Sequence, residues 1–519
     1  MINLFSNKIK NYLFKKKLKF IDADDPHIIF SDIWSGNSQN GELITNAKYP
    51  INEIQNIDNF DFLRDLKSCG ILKTRSIARK IVNHWIDNNK NLFSKSFKPN
   101  LIAERITIMC MTYSWYAKSG DIKFQKKNLN SIYIQLELLD YLLKKNTNLY
   151  NFKTIKGLII GNIFLFNDLN KINSFLNRLK TLSENFILKD GGHLSRCPMI
   201  QLDVLRDLLE IRSAIATNRK LNSPIIQTLV KVMGDYFKIF CVTKDSFCSF
   251  NSGSLIKKER ISETLKRLSG NKYNFSFAKH SGYISISSNN LNMILDAGNK
   301  DLFFNNKILN NKASLSAFEL FYQKAKIITN VGSFYFKSNN NNDLRAISST
   351  AAHSSLSIDD RNNLDLTGLR KINHLEVKKN EDENGYLVQV SHDAYKSLFG
   401  IGHKRRLFIS KKSPDLIGED EIFSIGNYGI KPKFATIRFH LHHEINPIKL
   451  QNQNLLLQNS TNKIIGKFFS SSDNIEIDNT IIYQNSERYV SKQIVILVEL
   501  KKIRELNKLI TKWSFKFEK

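Results

Sequence analysis

The sequence predicts a multidomain α + β chain, a helical half followed by an antiparallel β half. Three observations carry this. From Phe60 to about Leu268, apolar residues recur at the three- and four-residue spacing of helices. Near Ser269-Gly270 the period falls to two, as in Tyr283-Ile284-Ser285-Ile286-Ser287. At 519 residues the chain is also longer than one ordinary core accommodates.

The helical half begins with Phe62, Leu63 and Leu66, broken at Gly70 from the stripe Ile77, Ile81, Trp85. Ile102 to Tyr116 is a further helix, and Ile132, Leu136, Leu139, Leu142 and Leu143 mark another. That one ends in Lys144 and Lys145, which complement a helix C-terminus. Gly157 to Phe166 is apolar nearly all round and is expected in the interior. Phe175 to Ile187 and Ile200 to Ala214 flank a loop, and Ser223-Pro224 opens another helix through Met233. Short connections between successive helices imply stacked antiparallel pairs.

In the second half, strands are expected at Met293–Leu295, Ala317–Tyr322, Ile327–Val331, Leu387–Val390, Arg406–Ser410 and Phe434–His442. Others are expected at Ile464–Phe469, Ile475–Tyr483 and Ile494–Leu500. Strands without intervening helices imply an antiparallel sandwich. The Asn-rich runs 305–311 and 339–342 read as loops. The expected boundaries are a basic N-terminal segment 1–20, a helical domain 21–268, a sandwich 271–500 and a basic tail 501–519. The tail is amphipathic and reads as a helix packed on the sandwich.

Net charge is +29, which favours polyanionic partners. The excess is largely lysine, accompanied by abundant Asn and Ile, so part of it reflects a composition typical of AT-rich coding. No nucleic-acid motif or aromatic platform accompanies it, and specific nucleic-acid binding is not expected. The five cysteines are scattered without a CxxC pair, so neither a thiolate zinc site nor a disulfide framework is indicated. Residues 1–20 alternate lysine with short apolar pairs, without the apolar core or cleavage site of a signal peptide. No stretch has the length of a transmembrane span.

The loop Asp190-Gly191-Gly192-His193-Leu194-Ser195-Arg196-Cys197-Pro198 draws most attention. Asp-Gly-Gly permits a turn that needs φ > 0. A histidine, a hydroxyl and a guanidinium on one connector suit a carboxylate or sulfate, and equally suit the capping of helix ends.

With His280-Ser281-Gly282-Tyr283, Leu295-Asp296-Ala297-Gly298, Ser316-Ala317-Phe318-Glu319-Leu320 and Asn330-Val331-Gly332, this loop resembles the heparinase II/III-like family. Leu205-Arg206-Asp207-Leu208-Leu209, Arg345 with Ser349-Thr350-Ala351-Ala352-His353-Ser354, Asp359-Asp360, Arg405-Arg406-Leu407, Gly418-Glu419-Asp420 and Arg438-Phe439-His440-Leu441-His442 continue the resemblance in order. It covers about Asp25 to Leu500 and implies an N-terminal (α/α) toroid followed by a C-terminal antiparallel β-sandwich. It further implies a polysaccharide lyase performing β-elimination on a uronic-acid-containing polysaccharide.

That reaction needs a cation to neutralise the uronate, a base for the C5 proton and an acid for the leaving oxygen. The resemblance makes His193 and His353 the candidate catalytic residues, with Arg196, Arg345 and Arg361 candidates for substrate binding. Where family lyases place a tyrosine and a histidine after the loop's proline, this chain has Ile200 and Gln201, and isoleucine cannot transfer a proton. The family's sandwich metal site is also altered. Its paired histidines correspond to Asn310 and Lys312, its aspartate to Asn330, and His353 alone remains, so no metal is expected there. His440 and His442, two apart on a strand, are the other possible metal pair. Tyr283, beside His280, is expected in the core, and His403, Arg405 and Arg406 on a solvated strand edge.

Two functions stay open: a lyase on an acidic polysaccharide, and a non-catalytic glycan-binding or envelope protein that retains the scaffold. The resemblance implies the periplasm or cell envelope; the lack of a visible signal peptide leaves the cytoplasm as the alternative.

Overall fold

The computed structural model describes residues 2–18, 25–46, 57–218, 220–242, 247–270, 273, 275–299, 312–334, 341–366, 370, 372–485 and 487–518. By their contacts they form two units: Met1–Phe186 with Val204–Val230, and Ile187–Asp203 with Lys231–Lys519. The chain therefore passes between units within the stretch expected to be one helical domain. The loop at residues 190–198 belongs with the sandwich.

The first unit is helical. Its elements are α1 (Ile2–Lys17), α2 (Ser38–Asn46), α3 (Phe62–Ser68), α4 (Lys73–Asn88), α5 (Pro99–Tyr116), α6 (Ile122–Lys145), α7 (Phe152–Leu165), α8 (Leu169–Phe186) and most of α9 (Pro198–Ala216). As its all-round apolar pattern predicts, α7 is buried along most of its length. A Cβ on Gly157 would lie 2.7 Å from the Ala103 Cα, so glycine lets α5 and α7 approach. The Asp121 carboxylate accepts from the Phe124 amide to start α6, and Asn151 with Thr154 forms a reciprocal capping box on α7.

Charge is buried between these helices. The Lys156 ammonium donates to Glu210 at 2.6 Å and lies 2.7 Å from Asp207 and 3.3 Å from Glu104. The Arg64 guanidinium binds Asp32 at 2.8 Å and Glu210 at 2.6 Å. Burial pushes the Asp207 carboxyl up to about 6, with the neighbouring Glu104 charge adding to the shift and Lys156 opposing it.

The second unit carries α10 (Pro224–Ile239, from Lys231 onward), α11 (Lys258–Leu265) and α12 (Asn341–Ser348). Its strands are β1 (Phe275–Ala278), β2 (Tyr283–Ser288), β3 (Leu291–Asp296), β4 (Phe318–Tyr322), β5 (Ala325–Thr329), β6 (Leu356–Ile358), β7 (Leu375–Glu381), β8 (Gly385–Tyr395), β9 (Ile401–Ser410) and β10 (Asp415–Ser424). The rest are β11 (Phe434–Leu441), β12 (Asn446–Lys449), β13 (Leu455–Gln458), β14 (Ile464–Ser470), β15 (Ile475–Gln484), β16 (Glu487–Glu499) and β17 (Lys508–Phe517). Among the described residues they form two antiparallel sheets. One runs β1-β2-β3-β4-β5-β11-β16-β15 with β6 on β11, and the other runs β12-β13-β14-β17-β10-β9-β8-β7. The core between them includes Ile284, Leu320, Phe439 and Ile494 from the first sheet and Val388, Leu407, Trp513 and Phe515 from the second. Phe318 and Trp513 stack across it at 5.7 Å.

Three expectations are corrected. The basic tail is not a helix. Most of it is β17, inserted between β14 and β10, because Thr511, Trp513, Phe515 and Phe517 alternate inward against outward lysines. His403 and Arg405 are not at a solvated edge but 1% exposed inside the sandwich; only Arg406, on the other face of β9, reaches water. Asn341 and Asn342 open α12 rather than extend a loop. The run 305–311, and positions 339 and 340 of the second run, lie outside the described residues.

Candidate functional site

The loop turns where the sequence demands it. Gly191 has φ +85°, and a Cβ there would meet the Val232 carbonyl oxygen at 2.2 Å, so no other residue fits. The Asp190 carboxylate accepts from the Gly192 amide at 3.1 Å and from the Ser281 amide at 2.7 Å, tying the turn to the first strands of the sandwich. Pro198 then opens α9, as expected.

The loop's polar side chains face inward. His193 is 8% exposed and Arg196 4%. The Arg196 guanidinium donates to the Ser281 carbonyl at 2.6 Å, pairs with Asp296 and lies over the Tyr283 ring at 4.6 Å. A charge so closely matched by a buried carboxylate is already neutralised. Burial, the first influence, would lower its proton affinity; Asp296 more than reverses this and raises it. Tyr283 is in the core, as expected, with its hydroxyl bonded to Asn251 at 2.7 Å.

His193 Nδ1 accepts from the Ser195 amide at 3.1 Å and faces the Ser195 hydroxyl at 2.8 Å. An amide only donates, so Nδ1 is the acceptor and the ring proton sits on Nε2. Burial pushes this imidazole down to about 4, so it is neutral at pH 7. Gln201 holds the loop from beneath. Its carbonyl oxygen accepts from the His193 amide at 2.7 Å, and its amide donates to the carbonyls of Gly191 and Met233.

A second polar cluster surrounds Lys312. Its ammonium donates to the Ser333 hydroxyl at 2.6 Å and the Gly332 carbonyl at 3.2 Å. Burial pushes the amine down to about 8. Its charge is felt by both the Cys197 thiol and the His353 imidazole, lowering each. His353 is 2% exposed. Its Nδ1 donates to the Ser349 carbonyl at 2.7 Å, and burial, then Lys312, push it down to about 3. Asn330 donates to Glu319 at 2.9 Å and accepts from the Ser354 amide.

This set does not fit the divalent metal implied by the resemblance. An ammonium stands where a ligand would be, and the Asn330 amide is spent on Glu319 and Ser354. Asn310 lies outside the described residues. His440 is equally committed: Nε2 donates to the Ala351 carbonyl at 2.9 Å, and Nδ1 faces the Thr480 hydroxyl at 2.9 Å. His442 Nε2 faces the Gln484 side-chain oxygen at 3.2 Å. Both strand histidines thus use ring nitrogens on protein partners, which runs against the metal pair considered from their spacing.

Arg345, on α12, and Arg361, just past β6, are exposed. Sequence reasoning missed the use of Lys312 as an internal cation and of Gln201 as the loop's anchor; it read each only as a lost family residue. Nothing in the local sequence signals their distant partners.

An antiparallel double sheet holding an Asp-Gly-Gly-His loop, with a helical unit preceding it in the chain, is a fold shared with solved heparinase III structures. Residues 271–510 match the family model described as heparinase II/III-like, C-terminal. Over that domain the chain is similar to the heparinase II/III-like family. The heparan sulfate lyase HepC of Pedobacter heparinus, as a mutant, shares the fold with TM-score 0.68 at 13% identity, over 99% of this chain and 88% of that one. A heparinase III structure gives 0.66 at 14%, over 99% and 89%. The chain is also similar to FtsZ-localized protein C of Caulobacter vibrioides, 25% identical over 291 residues, or 52% of this chain. That match spans 49% of the relative's length, about half of it.

Proposed function

We propose that this heparinase II/III-like protein binds an acidic polysaccharide without cleaving it by the family's usual route. The observation that carries the reading is Gln201. At a position where family lyases hold a proton-transfer residue, it is 1% exposed and bonded to three backbone groups of its own surroundings. The other candidates agree. Arg196 is matched by Asp296, and the buried tyrosines Tyr236 and Tyr283 are held far towards the protonated form by desolvation. Arg345 and Arg361, both exposed, are the cations left to meet a uronate or sulfate. The relative's name records a place, with FtsZ, rather than a reaction; that is consistent with a scaffold kept for binding.

The lyase reading has one observation in its favour. His193 and His353 are neutral at pH 7, as a general base must be.

A panel of uronate polysaccharides separates the two. Binding is followed by calorimetry, and cleavage by the ultraviolet absorbance of the unsaturated product. We expect binding without product, weakened about tenfold or more in the Arg345→Ala/Arg361→Ala variant, a loss of two charge-assisted contacts. Product formation that His193→Ala or His353→Ala abolishes would establish the lyase instead.

A further inference from the structure

We propose that α1 is an interfacial helix that seats the helical unit on an anionic lipid surface. One side of the helix is committed to the protein. Phe14 packs on Tyr141 at 5.2 Å and Phe93 at 6.3 Å, and is 8% exposed. Asn11 accepts from the Leu92 amide, and Asn11 and Lys15 donate to the Lys90 carbonyl. At 100° per residue, positions 9, 12 and 13 fall on the opposite side from 11 and 14. There Ile9, Tyr12 and Leu13 are 48%, 66% and 52% exposed. Three large apolar side chains side by side on a helix anchored from behind form an exposed apolar face, with no partner among the described residues of its own unit.

Charge identifies the occupant. Residues 1–20 contain Lys8, Lys10, Lys15, Lys16, Lys17 and Lys19 and no Asp or Glu. Lys10 and Lys16 are exposed beside the apolar three; Lys15, Lys90 and Lys145, on the side that holds Phe14, are exposed as well. A second protein copy would bring the same charge and be repelled. A nucleic acid would use the lysines but gain nothing from isoleucine and leucine. An acidic bilayer uses both, with lysines at the headgroups and the apolar face a few ångströms deeper. Among the described residues no helix can cross a membrane, so the contact is peripheral. This inference does not depend on the glycan reading.

The test is co-sedimentation of the full chain with phosphatidylglycerol-containing vesicles and with pure phosphatidylcholine vesicles. We expect binding to the former, at least about tenfold weaker to the latter, and suppressed by high salt. Lys10→Ala/Lys16→Ala should weaken partition about fivefold per lysine. Ile9→Ser/Tyr12→Ser/Leu13→Ser should weaken it about tenfold or more, with thermal unfolding unchanged because all three sites are exposed. Equal binding to both vesicle types, or no vesicle binding, overturns the proposal. So does full binding by the serine variant, which would leave only electrostatic adsorption. A wild-type dimer that the serine variant dissociates would assign the face to a second copy. Should the serine variant misfold, the lysine variant and the lipid comparison decide alone.

Discussion

Asp420 is a fully buried carboxylate inside the sandwich with four donors. It accepts from His403 Nε2 and Arg405 Nε, each at 2.7 Å, from Arg405 Nη2 at 3.0 Å and from the Trp513 indole at 2.8 Å. Desolvation works against its charge, but Arg405 and His403 outweigh it and hold the carboxyl well below the usual range. Asp420→Asn strands a buried guanidinium, and we expect a loss of about 3–5 kcal/mol in urea unfolding. Replacing both partners, Arg405→Met with Asp420→Leu, should cost less than Asp420→Asn alone, because no buried charge is left behind. Gln201→Ala removes an acceptor from the buried His193 amide and should destabilise by about 1–3 kcal/mol in the same assay. The residues of the loop were legible in the sequence, because only glycine fits at Gly191. Their inward orientation was not. Arg196 finds its carboxylate a hundred residues away at Asp296, and no local pattern encodes such a pair.

At the scale of elements, periodicity carried most of the fold. The long helices α5, α6 and α7 and the strands β2, β11, β14 and β15 all lie where spacing puts them. It failed where lysine dominated. In Lys508–Phe517 the alternation that buries Trp513, Phe515 and Phe517 was present, but the lysines between them read as a basic helix face. The charge run at His403 misled in the same way, since period two sends His403 and Arg405 inward and Arg406 outward. Each buried aromatic of β17 contributes roughly 1.5–3 kcal/mol of burial. Ending the chain after Leu506 should therefore abolish cooperative unfolding of the sandwich, seen as loss of its calorimetric transition. A chain without β17 that still melts cooperatively would show that the sheet closes by another pairing.

For the molecule as a whole, histidine sets the response to acid. Burial depresses His193, His353, His392, His403, His440, His442 and His443 below the ordinary histidine value. The unfolded chain then binds more protons below about pH 6.5, so stability falls as pH drops from there towards 4. Each group contributes up to about 1.4 kcal/mol per pH unit. Asp207, raised to about 6, opposes this from pH 6 downwards, and Asp61, also raised by burial, acts in the same sense, but these are two carboxyls against seven imidazoles. Thermal unfolding followed between pH 7 and 5 should show the melting temperature falling steadily; a flat profile would contradict the buried neutral imidazoles.

The place of β17 also bears on how the protein is made. Synthesis runs from the N-terminus, so β10 and β14 emerge well before the strand that lies between them. Until Phe517 has left the ribosome, each presents an unpaired edge beside an uncovered apolar face, the arrangement most prone to pair with another nascent chain. The helical unit, complete by Val230, has no such wait. Translation therefore leaves the sandwich, not the helices, as the part longest exposed to mispairing.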